Sequence, residues 1–111
     1  MKRGSKTVMP LIVSLLALMT LGSAAQVQDP VRHGRALVGK FCSSCHAVAR
    51  FGRSPVPSAP PFRTLGRNFD LDQLPRWLER GIASNHPDMP EFKFSADDAL
   101  AVRAYLRTIQ R

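Results

Sequence analysis

Cys42-Ser43-Ser44-Cys45-His46 is the stretch from which the rest of this chain is read. It holds both cysteines of the sequence and one of its three histidines. Cys-x-x-Cys-His is the pattern to which a haem is covalently attached. Two thiols separated by two residues can each bond one vinyl group of a single porphyrin. The imidazole of the next residue, His46, then lies beneath the iron and can ligate it. On this reading the chemistry belongs to the haem, and the chain holds, tunes and wires it.

Other uses of the two thiols fit less well. A redox disulfide of the thioredoxin kind belongs to a βαβ pattern, which is not visible here. A structural zinc ion needs four ligands. Cys42, Cys45, His46 and His86 supply that number, but a second closely spaced pair is missing. A disulfide between Cys42 and Cys45 would close a very small loop and gain little entropically. None of these explains a histidine directly after the second cysteine.

The first 25 residues have the composition of an export signal. Lys2, Arg3 and Lys6 make a positive start, and Val8 to Leu21 is an apolar stretch interrupted only by Pro10, Ser14 and Thr20. Gly22-Ser23-Ala24-Ala25 presents small residues suited to a signal peptidase, with cleavage expected after Ala25. The apolar stretch falls short of the roughly 20 residues of a membrane span. An uncleaved anchor is the alternative use of the same segment. Residues 26–111 then form one small domain. A chain of that size buries little apolar surface and commonly needs a staple, which a covalent haem would provide.

Charge narrows the partners. The signal takes three of the 16 Lys and Arg residues and none of the 8 Asp and Glu, leaving a net charge of +5 with neutral histidines. A basic surface suits nucleic acid, anionic lipid or an acidic protein. No run of basic residues with interleaved aromatics is present, and export argues against nucleic acid. An ordinary solvated surface and steering toward acidic redox partners both account for the charge.

The rest of the mature chain reads as helices and proline-bearing loops. Asp29-Pro30 is an N-cap followed by proline at the first helical position. That helix runs to about Phe41, with Gly34, Leu37, Val38 and Phe41 on one face. A loop from Ala47 to about Leu71 contains Ser54-Pro55-Val56-Pro57-Ser58-Ala59-Pro60-Pro61, which excludes a regular helix or a central strand. A second helix is predicted over about Asp72 to Ala83, with Asp72 as N-cap and Pro75 in the first turn. Its stripe is Leu74, Leu78 and Ile82, flanked by Trp77. A last helix begins after Ser95, with Asp98 at the third helical position. Ala99, Val102, Leu106 and Ile109 form its buried face, beside Leu100 and Tyr105.

A haem iron has a second axial position. Once Met1, Met9 and Met19 leave with the signal, Met89 is the sole methionine. It sits between Asp88 and Pro90, off any helical apolar stripe, so core packing is a poor account of it. A thioether is a known partner of histidine on haem iron. His86, three residues away, and His33, in the first helix, are the competitors, and an open site is a third outcome. A neutral sulfur donor favours Fe(II), so a His/Met pair raises the reduction potential relative to two histidines. With both positions filled there is no place for oxygen, peroxide or substrate.

With these residues in view, the mature chain resembles the class I cytochromes c, the small soluble mono-haem kind, over nearly its whole length. Gly34, eight residues before Cys42, matches the glycine that lets the family's first helix cross its last. Tyr105 and Leu106 match the aromatic and leucine at that crossing. Ala59-Pro60-Pro61-Phe62 resembles the proline loop, where a proline carbonyl accepts a hydrogen bond from the ligating histidine and orients its ring. The resemblance gives that role to Pro60, with Pro61 as the neighbouring choice. His86-Pro87-Asp88-Met89-Pro90 resembles the methionine loop, and Trp77 falls in the helix covering one haem edge. The chain departs from the family at Val38, where an aromatic is usual, with Phe41 as the substitute. It also uses arginine for most of its basic surface.

The resemblance implies an all-α fold, three main helices and proline-rich loops around one covalent haem c. It implies haem contacts from Cys42, Cys45, His46, Pro60, Trp77 and Met89, with His46 and Met89 on the iron. The expected protein is not an enzyme. It is an exported, periplasmic, monomeric electron carrier with acidic-faced redox partners and no membrane span after cleavage. A haem subunit held permanently in a dehydrogenase or oxidase complex is the first alternative. An open-site haem enzyme or sensor is the second.

Overall fold

The computed structural model describes residue 22 and residues 27–82 and 86–111. Apart from residue 22, the expected export signal lies outside these. Helix α1 is Pro30–Phe41, a 3-10 helix spans Phe62–Arg67, α2 is Leu74–Arg80 and α3 is Ala96–Ile109. The described residues contain no strand, so the all-α expectation holds.

Local chemistry explains where α1 and α3 begin. The Asp29 carboxylate accepts from the Val31 N–H (3.0 Å), and Pro30 follows where no N–H is needed. Ser95 Oγ accepts from the Asp98 N–H (3.2 Å), and Asp97 and Asp98 place negative charge at the positive end of α3. Both starts match the sequence expectation.

The second helix does not. It is shorter at both ends than 72–83, and its N-cap is Gln73, which makes no side-chain capping bond. Asp72 is used otherwise. Its carboxylate accepts from Arg107 and stands 3.8 Å from Arg103, so a tertiary ion pair with α3 outcompetes the cap. Pro75 does lie in the first turn, as expected. Gly81 then ends the helix with a φ of +91°, a conformation that side-chain-bearing residues avoid. The 3-10 helix inside the long proline-bearing loop was not anticipated either.

Helix α3 is the centre of the packing and touches α1, α2 and the 3-10 helix. The core comprises Val38 from α1, Leu74 and Leu78 from α2, and Ala99, Val102, Tyr105, Leu106 and Ile109 from α3. These recur at three- and four-residue spacing, so each helix buries one stripe. Burying such side chains stabilises the domain by roughly 1.5–3 kcal/mol for each large one.

The α1–α3 crossing is close. A Cβ added at Gly34 would overlap the Ala101 carbonyl and come within 2.9 Å of Tyr105 Cβ. His33 Nε2 donates to Asp98 at 2.5 Å across the same crossing. Val38 is 1% exposed and fills its own place in the core. Phe41 does not substitute for an aromatic there: it is 36% exposed and turns toward Phe92 and Phe94 (ring centroids 6.0 and 5.6 Å). The ring joins Phe92 and Phe94 in an aromatic cluster that meets the core through Phe94.

Candidate haem-binding site

Cys42 closes α1, and the chain continues as a tight turn. The N–H groups of Cys45 and His46 both donate to the Cys42 carbonyl, at 3.3 and 2.9 Å. Residues spaced i, i+3 and i+4 on such a turn share a side. Cys42, Cys45 and His46 therefore line one cavity of about 250 Å³. Ser43 Oγ donates to the Gly39 carbonyl, which fastens the turn to the helix end.

The proline loop folds back over this turn. Val56 N–H donates to the Cys45 carbonyl (3.1 Å), Ala47 N–H to Ser54 Oγ (3.0 Å) and Phe62 N–H to the Ala47 carbonyl (2.9 Å). Proline cannot donate, so these few N–H groups carry the docking. They bring Val56, Ala59, Pro60 and Phe62 to the cavity wall.

The loop also settles the state of His46. Its Nδ1 is 2.7 Å from the Pro60 carbonyl oxygen. A carbonyl only accepts, so Nδ1 carries the proton and a neutral ring keeps its lone pair on Nε2. The Phe62 ring lies against the imidazole, with centroids 4.6 Å apart and planes at 32°.

The facing wall comes from the segment between α2 and α3. Phe94 N–H donates to the Leu78 carbonyl (2.9 Å), which anchors the end of that segment on α2. Within it, Met89 N–H donates to the His86 carbonyl (3.2 Å) and Asp88 N–H to His86 Nδ1 (3.3 Å). His86, Asp88, Met89, Pro90 and Phe92 all reach the cavity. Phe41, Phe92 and Phe94 form the aromatic cluster behind it.

The cavity is mostly apolar, and its only carboxylate is Asp88. Both cysteines are free thiols. Burial pushes the Cys42 thiol up from its ordinary 9.0 to about 11, so it is protonated at neutral pH. Among the described residues no three His, Cys, Asp or Glu side chains are grouped to hold a metal ion. Cys42, Cys45, His46 and His86 line the same cavity but do not close into such a group.

Of the residues singled out in the sequence, Cys42, Cys45, His46, Pro60 and Met89 meet at one cavity. Trp77 does not join them. It is 40% exposed, and its ring meets Phe69 edge-on at 3.9 Å. His33 is turned to Asp98 across the helix crossing, away from the cavity walls. Phe41, Phe62 and Phe92 are wall residues, a role that the sequence pattern gave to none of them. Their signal was positional: each lies within three residues of Cys42, Pro60 or Met89.

The donor set suits a haem. Two thiols, one imidazole with a committed Nδ1–H and one thioether share a largely apolar cavity, matching a macrocycle that is apolar with polar edges. No protein-family model matches the chain, and no solved structure matches it. Cytochrome c-552 of Bradyrhizobium diazoefficiens is 30% identical over 99 residues, which cover 89% of this chain and 92% of that protein.

Proposed function

This chain belongs to the class I cytochrome c family, and from that premise we propose that it is an exported mono-haem carrier of single electrons. In this reading Cys42 and Cys45 hold the haem through thioether bonds, and His46 and Met89 are its axial ligands. A bound haem supplies a one-electron Fe(III)/Fe(II) couple. The carrying observation is that these four side chains line one apolar cavity while His46 Nδ1 is committed to Pro60.

Each residue then has a physical task. Pro60 fixes the tautomer of His46 and raises its basicity as a ligand. The Met89 thioether is a neutral, soft donor that favours the reduced iron. Phe41, Phe62, Phe92 and Val56 exclude water, which limits solvent reorganisation around the centre. Were His46 and Met89 both to hold the iron, a substrate would find no open site on it. That favours a carrier over an enzyme.

The basic excess supports acidic redox partners. Residues 47–69 contain Arg50, Arg53, Arg63 and Arg67 and no Asp or Glu. Arg50 donates to the Thr108 carbonyl (2.6 Å), Arg63 to the Gly52 carbonyl (2.8 Å) and Arg67 to Arg111 (3.2 Å). Arg111 lies over the exposed Phe51 ring at 4.4 Å. Arg50, Arg53, Arg63 and Arg67 belong to the long loop between the attachment turn and α2, and they are the basic residues that an acidic partner would meet on that side of the chain.

Export through residues 1–25 completes the proposal, with the mature domain working in the periplasm as a monomer. No helix among the described residues is long and apolar enough to cross a membrane. The test is intact mass and redox-titrated visible spectroscopy of the exported protein. We expect the mass of residues 26–111 plus one haem, a single one-electron wave and a low-spin spectrum in both states. A bare peptide mass, or ready carbon monoxide binding by the reduced protein, would overturn the assignment.

A further inference from the structure

Gln110, the residue after α3, makes three hydrogen bonds with its side-chain amide. Oε1 accepts from the Gly66 N–H at 2.8 Å. Nε2 donates to the Phe62 carbonyl at 2.8 Å and to the Leu106 carbonyl at 2.9 Å. Both Nε2 hydrogens are thus used, and the side chain ties the end of α3 to both ends of the 3-10 helix.

The position of these bonds is informative. In an α-helix the Gly66 N–H would donate to the Phe62 carbonyl, four residues earlier. Here the Gln110 amide stands between the two groups and bonds each of them, as a peptide unit would. The segment keeps three-residue bonds instead, from Thr64 to Pro61 and from Asn68 to Leu65 (both 3.3 Å). Gly66 leaves the room required, because a Cβ there would stand 2.9 Å from Gln110 Oε1.

Phe62 is therefore held at both backbone groups, its N–H by Ala47 and its carbonyl by Gln110. Its ring lies on the His46 imidazole, and the carbonyl of Pro60, two residues earlier, accepts a hydrogen bond from His46 Nδ1. We propose that Gln110 is a positioning residue for the proximal histidine, setting the plane of His46 and the strength of its bond to Pro60 through Phe62. The inference rests on His46 being an iron ligand, as proposed above.

The sign of the effect follows. Releasing Phe62 loosens the loop and weakens the bond from Nδ1 to Pro60. A weaker bond lowers the basicity of the imidazole, which favours Fe(II) and raises the reduction potential. A rotated ring also changes the pattern of paramagnetically shifted haem methyl resonances.

The experiment compares the haem-loaded wild-type protein with Gln110→Ala, Gln110→Glu and Ser95→Ala. Potentials are measured by redox titration and methyl resonances by proton NMR of the oxidised form. Gln110→Glu keeps an acceptor for Gly66 and loses both donated bonds. We expect both Gln110 variants to show a raised potential and a changed order of methyl resonances, the Ala variant more strongly. Ser95→Ala removes a helix cap far from Phe62, so it should lower the unfolding temperature and leave both readouts unmoved. If Gln110→Ala yields no haem-loaded protein, the Glu variant decides alone. Wild-type potential and methyl pattern in the Gln110 variants would overturn the inference. If the wild-type protein itself shows no low-spin, imidazole-ligated iron, the ligand assignment of His46 fails, and this inference fails with it.

Discussion

Residue by residue, the site depends on which atoms are already occupied. His46 donates its Nδ1–H to the Pro60 carbonyl, so Nε2 is the nitrogen left for a metal. His33 Nε2 is engaged with Asp98. Met89 has no comparable polar commitment, and its side chain faces the cavity from the opposite segment. Replacing Met89 by Ala should leave the covalent haem in place, lower the reduction potential and open the iron to carbon monoxide. Redox titration and the carbon monoxide difference spectrum check this, and an unchanged potential would remove Met89 from the iron. The histidine–proline contact was expected only through the resemblance of residues 59–62 to the family's proline loop, and the fold places Pro60 at that contact. The Trp77 placement was not legible: a tryptophan flanking a short helix can face the haem or its own loop, and here Phe69 takes its ring.

Among the elements, the α1–α3 crossing is the part that tolerates least change. Backbone at Gly34 meets backbone at Ala101, and neither can move aside as a side-chain tip could. Gly34→Ala should destabilise the protein by about 1–3 kcal/mol through overpacking, read as a lowered midpoint in denaturant unfolding. Tyr105 adds a polar tie, its hydroxyl donating to the Val48 carbonyl at 2.6 Å just past the attachment turn. Tyr105→Phe should lower stability by about 1 kcal/mol, the net value of one such bond, with the ring packing retained. Calorimetric unfolding of the two variants separates the effects. Helix starts at Pro30 and Ala96 were readable because a capping side chain and the N–H that donates to it lie within three residues of each other. The start of α2 was not, since the side chain at Asp72 found Arg103 and Arg107 more than thirty residues away.

At the scale of the whole molecule, the helices enclose a small core beside a cavity that needs filling. In the proposed reading both thiols would attach a haem there, at the end of α1. Substituting Cys42 and Cys45 together by Ser should export a chain without covalent haem that no longer unfolds cooperatively. Far-ultraviolet circular dichroism during heating checks this, and a sharp transition equal to that of the haem-loaded protein would contradict the staple role. Residues 47–69 carry four arginines and no Asp or Glu. Electron-transfer rates with an acidic partner should therefore fall as salt rises, because exposed charges are screened beyond about 8–10 Å at ordinary ionic strength. Stopped-flow kinetics over a salt series tests it, and rates independent of salt would remove the steering role.

The linear order of residues determined the Cys42–His46 turn, the caps of α1 and α3, the apolar stripes and Met89 as the lone methionine after residue 25. All of these are short-range relations, set by helical periodicity and by which side chains can reach their own backbone. Only the folded chain decided that Trp77 turns to Phe69, that Asp72 abandons its cap, that Phe41 leaves the crossing, and that Gln110 grips the 3-10 helix. Each of those outcomes is a competition between partners far apart in sequence. The winner is fixed by distances that exist only after α3 has packed against the rest.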